Sequence, residues 1–279
     1  MCELFAFSSK NDMDITNYLK EFYSHSEKHP NGWGLSYLDS SEIKLYKESK
    51  KAVDSDKLRN ILSNKIITRN AIAHIRLATV GDMKPCNCHP FEKMDNNDRT
   101  WTLVHNGTIF HYPAIDSYKN KQAGQTDSER ILLYIVDCVN ESEIDTMLDN
   151  YQLCELINNI LTNLSKNNKL NIILYTQDML FIHINCKESL YYYRENEFVI
   201  FSTLALNNSN WHEVKLNTLY VIKNSNVVFM GKDHGNEYVI KDEDVDFILN
   251  NLDDKTVKEL LDSYGNMNNV KKQILNSHK

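Results

Sequence analysis

The chain has 279 residues, 42% of them hydrophobic, and a formal net charge of −7. That length buries a large core, and the interspersed charges leave no basic stripe for nucleic acid and no polybasic run for an anionic membrane. No apolar stretch is long enough to span a bilayer, and the start, MCELFAFSSKND, lacks the pattern of a signal peptide, so a cytoplasmic protein is expected.

In chain order, residues 2–8, 32–39 and 43–49 read as strands, and Asp14 is placed to cap an amphipathic helix over 15–25. A short helical run over 54–62 leads to AIAHIRLAT at 71–79, so continuously apolar that a central strand is expected, and to a further strand, TWTLVHNGTIF, at 100–110. Two helices follow. The first, SERILLYIVDCVN, has Ser128 in the cap position and Ile131, Leu132 and Ile135 on one face; the second covers 152–164. Three hairpins then turn at Gln177-Asp178, at the Arg-Glu-Asn-Glu run 194–197 and at 224–226. From about Asp242 the chain is charged, Asn-rich and helical in period, which suggests a solvated terminal helix pair. Strands, a helix pair and antiparallel strands in that order indicate an α+β layered fold.

Six cysteines, at 2, 86, 88, 138, 154 and 186, lack a framework spacing and read as free thiols. Cys86, Cys88 and His89, with His105 downstream, raise zinc as an option. Their spacing lacks the paired ligands of structural zinc sites, so no metal is expected.

Cys2 follows the initiator Met. Once Met1 is removed it carries a thiol and a free α-amine, whose ordinary pKa of about 7.7 to 8 suits it to take the thiol proton. Read alone, Cys2 equally begins a buried strand. Arg76, at the end of the central strand, is either a two-point carboxylate ligand or a surface ion-pair partner. His89 precedes Pro90 in a rigid turn. Asn106 and Gly107 interrupt an apolar strand, where an amide and a backbone N–H suit a developing oxyanion, or else form a hairpin turn. Asp127 is either a helix-capping carboxylate or a partner for an ammonium group.

Taken together, Cys2, NGWG at 31–34, AHIRLAT at 73–79, NCHPF at 87–91, LVHNGTI at 103–109 and QTDSE at 125–129 resemble the class II glutamine amidotransferases, an amino-terminal nucleophile hydrolase family. The motifs span about half the chain, and residues 201–222 resemble the later strand pair of stand-alone members. The resemblance implies a four-layer α/β/β/α sandwich with two antiparallel sheets facing each other and Cys2 at the end of the first strand. It implies that Cys2 attacks the side-chain amide of glutamine to give a γ-glutamyl thioester and ammonia. Asn106 and Gly107 would form the oxyanion hole, Arg76 would hold the substrate α-carboxylate and Asp127 its α-ammonium, with Thr79 and His89 lining or supporting the pocket. It implies no cofactor. Leu77 stands where synthase-linked members often have Trp, and Glu3 where Gly or Arg is more usual.

An amidotransferase domain over residues 2–245 and a helical tail over 246–279 are expected, with only about fifty residues after Met230 and no room there for a synthase domain. The expected partner is therefore glutamine or a γ-glutamyl compound, with a separate ammonia-accepting subunit as an option. Two other readings stand beside it: a hydrolase for another small γ-glutamyl amide, and a catalytically silent relative that binds an amino acid or a partner.

Overall fold

The computed structural model describes residues 2–40, 42–77, 81–252, 257, 258, 261, 262 and 264–276. Strand β1 (Glu3–Asp14) opens the chain and is followed by helix α1 (Thr16–Ser24), β2 (Trp33–Asp39), β3 (Glu42–Glu48), α2 (Asp56–Leu62) and β4 (Ile67–Ile75). Next come β5 (Phe91–Met94), β6 (Thr100–Thr108), the short α3 (Pro113–Asp116), and the long helices α4 (Asp127–Ser142) and α5 (Asn150–Leu164). The chain then runs through β7 (Lys169–Thr176), β8 (Met179–His183), β9 (Tyr191–Arg194), β10 (Phe198–Ser202), β11 (His212–Glu213), β12 (Tyr220–Lys223) and β13 (Asn226–Met230). Helices α6 (Asp242–Asn250) and α7 (Met267–Asn276) follow.

These strands form two antiparallel sheets. One has the order β11-β9-β10-β1-β4-β2-β3 and the other β13-β12-β8-β7-β6-β5, so AIAHIRLAT supplies a strand central to its sheet, as expected. Alternation along each strand explains the layers. From β1, Leu4 and Ala6 enter the space between the sheets with Ile72, Val104, Ile173 and Ile182, while Phe5 and Phe7 face α1 and α2 with Leu19, Phe22 and Leu58. From β7, Ile173 and Tyr175 face the other sheet, while Leu170, Ile172 and Leu174 pack under α4 and α5 with Ile135, Ile157 and Leu161. Both faces of these strands are buried, and for that reason their sequences are continuous apolar runs. The result is the α/β/β/α sandwich.

Local chemistry sets the element ends. Gln177 and Asp178 adopt positive φ (48° and 63°) in the β7–β8 hairpin, and Asn224 and Ser225 do the same between β12 and β13. The cap of α4 is Thr126, whose hydroxyl accepts from the Glu129 N–H at 3.3 Å. Ser128 lies inside the first turn, so the expected cap moves by two residues. Asp14 does accept from the Thr16 N–H at 3.0 Å, although the residue in cap position is Ile15. The tail is less solvated than its composition suggests. Val245 and Ile248 of α6 are buried with Cys186, Tyr238 and Ile240, and Phe247 packs edge-on to Phe110 at 5.3 Å.

Candidate active site

The ends of β1 and β4 meet the end of β6 at one rim of the sandwich. Cys2 immediately precedes β1 and is half-buried. Its Sγ lies 3.3 Å from both the N–H and the carbonyl of Leu77, just beyond β4. The contact uses only the backbone of Leu77, so the nature of that side chain does not bear on this contact of the Cys2 thiol. Glu3 is buried on the opposite face and its Oε2 lies 2.8 Å from His25 Nδ1, which fixes the start of β1 to the end of α1 and raises the His25 pKa.

Asn106 reaches across the sandwich. It sits on the inter-sheet face of β6 and donates from Nδ2 to the Cys2 carbonyl at 2.8 Å, thereby tying the two sheets together at the Cys2 main chain. An amide nitrogen has two hydrogens, so a second donor direction is left for a ligand. Gly107 continues the strand, paired with Leu170 of β7; the hairpin alternative for Asn106-Gly107 therefore gives way to a continuous strand. A Cβ at Gly107 would fall 1.9 Å from the Lys169 carbonyl and 2.4 Å from His105 Nε2, so only glycine fits. Gly34 plays a similar part on β2: a Cβ there would meet the His89 carbonyl at 1.9 Å, and its absence lets the 87–91 loop lie on the sheet.

Asp127 combines both readings of a carboxylate at a helix start. Its Oδ1 accepts from the Ser128 N–H at 2.9 Å, and its Oδ2 from the Ile109 N–H at 2.8 Å, which joins the N-terminus of α4 to the end of β6. Arg76 is buried and donates from Nη2 to the Gly81 carbonyl at 2.9 Å and from Nη1 to the Asp82 carbonyl at 3.2 Å. It is not a surface ion-pair residue. Thr79 lies outside the described residues.

His89 is buried in a row of imidazoles. Its ring centroid is 4.0 Å from that of His74 and 4.7 Å from Phe91, and neither ring nitrogen has a hydrogen-bond partner among the described residues. Burial pushes His89 well below its ordinary pKa and His74 down to about 3, with Arg76 adding to both shifts. Beyond them, His105 lies between Ser128 Oγ (3.0 Å from Nδ1) and the Lys169 carbonyl (3.3 Å from Nε2). A carbonyl only accepts, so Nε2 carries the proton and Nδ1 accepts from the hydroxyl. The zinc option finds no support in this geometry: Cys88 Sγ turns to the Glu48 carbonyl at 3.5 Å, and among the described residues no group of three His, Cys, Asp or Glu is arranged to hold a metal.

The model described as class-II glutamine amidotransferases matches residues 1–198. The chain belongs to the class II glutamine amidotransferases. An uncharacterized protein of Methanocaldococcus jannaschii is 31% identical over 146 residues, covering 52% of this chain and 41% of that one. This chain spans between 41% and 65% of the length of the curated relatives it matches. Among solved structures, one described as a predicted glutamine amidotransferase from Pseudomonas aeruginosa superposes with a TM-score of 0.56 and 18% identity, over 82% of this chain and 100% of that one. The glutamine phosphoribosylpyrophosphate amidotransferase from B. subtilis gives a TM-score of 0.62 and 16% identity, over 84% and 49%. At these identities the likeness to solved structures is one of fold.

In this class II amidotransferase chain, two residues that organise the rim carried no separate signal in the sequence. Asn87 is fully buried; its Oδ1 accepts from the Gln125 N–H at 2.8 Å, and its Nδ2 donates to Gln125 Oε1 at 3.0 Å and to the Asp82 carbonyl at 2.9 Å. The Gln125 side chain also accepts from the Asp82 N–H at 2.9 Å. This closed knot brings the loop held by Arg76 against the loop that leads to Asp127. Asn87 and Gln125 stand in the NCHPF and QTDSE motifs, beside His89 and Asp127, whose ring nitrogens and charge are the stronger chemical signals in the sequence.

Proposed function

We propose that the chain is a glutamine amidohydrolase in which Cys2, freed at its amino terminus by removal of Met1, attacks the side-chain amide of glutamine. The observation that carries this reading is the 2.8 Å contact between the Asn106 amide and the Cys2 backbone, which sets a candidate oxyanion donor beside the thiol. The thiol proton passes to the α-amine, Sγ bonds to the amide carbon, and negative charge develops on the carbonyl oxygen. The second Asn106 N–H and the Gly107 N–H stabilise that oxygen, each donor contributing on the order of 3 kcal/mol in the transition state. The C–N bond then breaks, the α-ammonium returns its proton to the leaving ammonia, and water hydrolyses the thioester to glutamate.

Arg76 and Asp127 meet the opposite charges of the substrate's α-amino acid head, which fixes the amide over the sulfur. His89 and Thr79 support the pocket wall. Residues 2–245 form the amidotransferase domain, with 246–279 as its tail, and the ammonia is either released or passed to a separate acceptor subunit.

The test is intact-protein mass spectrometry after incubation with 6-diazo-5-oxo-norleucine, followed by peptide mapping. A single adduct on Cys2 of Met1-free protein is expected. Met1-free protein without an adduct would overturn glutamine as the substrate and favour another γ-glutamyl amide or a catalytically silent binding protein.

A further inference from the structure

Near the middle of the sandwich the gap between the sheets is filled by Ala6, Ile72 and Val104. Toward the β11 and β13 edges it is not. On β9, Tyr192 lies opposite Phe201 and Arg194 opposite Val199; Phe201 and Val199 face the gap, so Tyr192 and Arg194 do as well. On β12, Tyr220 and Ile222 lie opposite Ile182 and Leu180, which also face it. Between these strands is a cavity of about 190 Å³, with Val199, Phe201, Val214 and Ile222 as buried walls. Protein interiors leave few voids larger than a water molecule, so a space of this size between two layers is a departure from ordinary packing.

Polar groups converge on it. Ser225, in the β12–β13 turn, lines the cavity and is only 1% exposed. Its N–H donates to Ser8 Oγ at 3.2 Å, while its own Oγ is buried without a hydrogen-bond partner among the described residues. A buried hydroxyl left so costs stability, and a ligand oxygen would restore the missing bond. Arg194 spends one N–H on Oδ1 of Asn226, the residue after Ser225, at 3.1 Å, and keeps most of its five donors. Lys215 adds a second positive charge to the lining. The carboxylate in the lining, Glu213, accepts from the Glu188 N–H at 2.7 Å.

We propose that this cavity is a binding site for a small aryl carboxylate. The ring packs on Phe201 and Ile222 between Tyr192 and Tyr220, and the carboxylate accepts from the Arg194 guanidinium and the Ser225 hydroxyl. Apolar and aromatic walls select the ring, and the two cations select the negative charge. At the packing density of a protein interior, 190 Å³ holds a van der Waals volume of about 140 Å³, which is about ten non-hydrogen atoms: one ring with a short acidic arm. Ser8, which anchors the Ser225 turn, lies six residues along β1 from Cys2, about 20 Å in an extended strand. The site is therefore separate from the thiol and does not depend on the reaction proposed there.

The test is a ligand-observed NMR titration of the full chain with phenylacetate, 2-phenylethanol and 2-phenylethylammonium, which share a ring and arm and differ in charge. Phenylacetate should saturate a single site, with the alcohol about tenfold weaker and the ammonium weaker still. Arg194→Gln should weaken phenylacetate binding by about tenfold and Ser225→Ala by about fivefold. Val227→Trp, which fills the mouth from β13, should abolish it. Arg194 and Val227 are exposed, so these two substitutions leave the core intact. Absence of saturable binding to the wild type, equal affinity for all three compounds, or unchanged binding in Val227→Trp overturns the proposal. Displacement of phenylacetate by glutamine would put the carboxylate at the Cys2 rim and overturns it too.

Discussion

Strand β6 and helix α4 run side by side, and their two ends handle buried polar groups in opposite ways. Where β6 begins and α4 finishes, Arg99 donates from Nε to Asp95 at 2.6 Å and pairs through both Nη atoms with Glu143, while Trp101 Nε1 donates to Asp95 at 2.8 Å. The remaining carboxylate positions accept from the Asn97 and Arg99 N–H groups and from the Leu148 N–H. Every charge there is matched. Where β6 finishes and α4 begins, His74 Nδ1, both nitrogens of His89 and Asn171 Nδ2 have no partner among the described residues, and Asn106 Nδ2 spends one of its two hydrogens on the Cys2 carbonyl. A buried network that is complete serves the fold. One that leaves hydrogen-bonding capacity unused, as at the rim that carries Cys2, adds less to the stability of the fold for the polar groups it buries.

Substitutions at the two ends should therefore separate activity from stability. The largest effect is expected for Cys2→Ser, with glutaminase turnover falling by about a thousandfold or more and the thermal midpoint unchanged, because the side-chain volume and its contact with Leu77 are nearly kept. Turnover close to wild type would remove Cys2 from the chemistry. At the ionic end, Arg99→Ala leaves two carboxylates buried without their cation and should cost about 3 to 5 kcal/mol in urea unfolding. The activity of the folded fraction should stay at the wild-type level. A large activity loss in that fraction would mean that the two ends are coupled along β6 and α4, and the contrast between them would fail.

The smallest effect is a difference in proton uptake. His74, His89 and His105 are held below the ordinary histidine pKa, so between their folded values and about 6.5 the unfolded chain binds more protons than the folded one. Their contribution is complete above about pH 6.5 and declines as the pH falls below it, at up to about 1.4 kcal/mol per pH unit for each histidine. His74→Gln should flatten the fall in stability between pH 6.5 and 5 by one such increment. An unchanged slope would show that His74 does not remain neutral in the folded protein.

Much of the fold could be read from local pattern because the signals are local. Apolar runs marked the strands of both sheets, and polar pairs such as Gln177-Asp178 marked turns that need positive φ. The α4 cap was misplaced by two residues because Thr126 and Ser128 are equally good caps by type, and only the helix trajectory chooses between them. Asn106-Gly107 stayed ambiguous between strand and hairpin for a comparable reason: the sequence shows a pair that tolerates a turn, while the ladder to β7 shows that a continuous strand is paired there.

The sequence by itself determined the residue types, their order and the resemblance of six motifs, and so the family. Tertiary structure decided which of those residues share a space. Asn106 meets Cys2 across 104 positions of chain because two sheets stack face to face, and the knot of Asn87 and Gln125 forms because two loops reach the same rim. Asn171 comes to the same face as Asn106 through cross-strand register, a relation between segments about sixty residues apart that local periodicity does not encode.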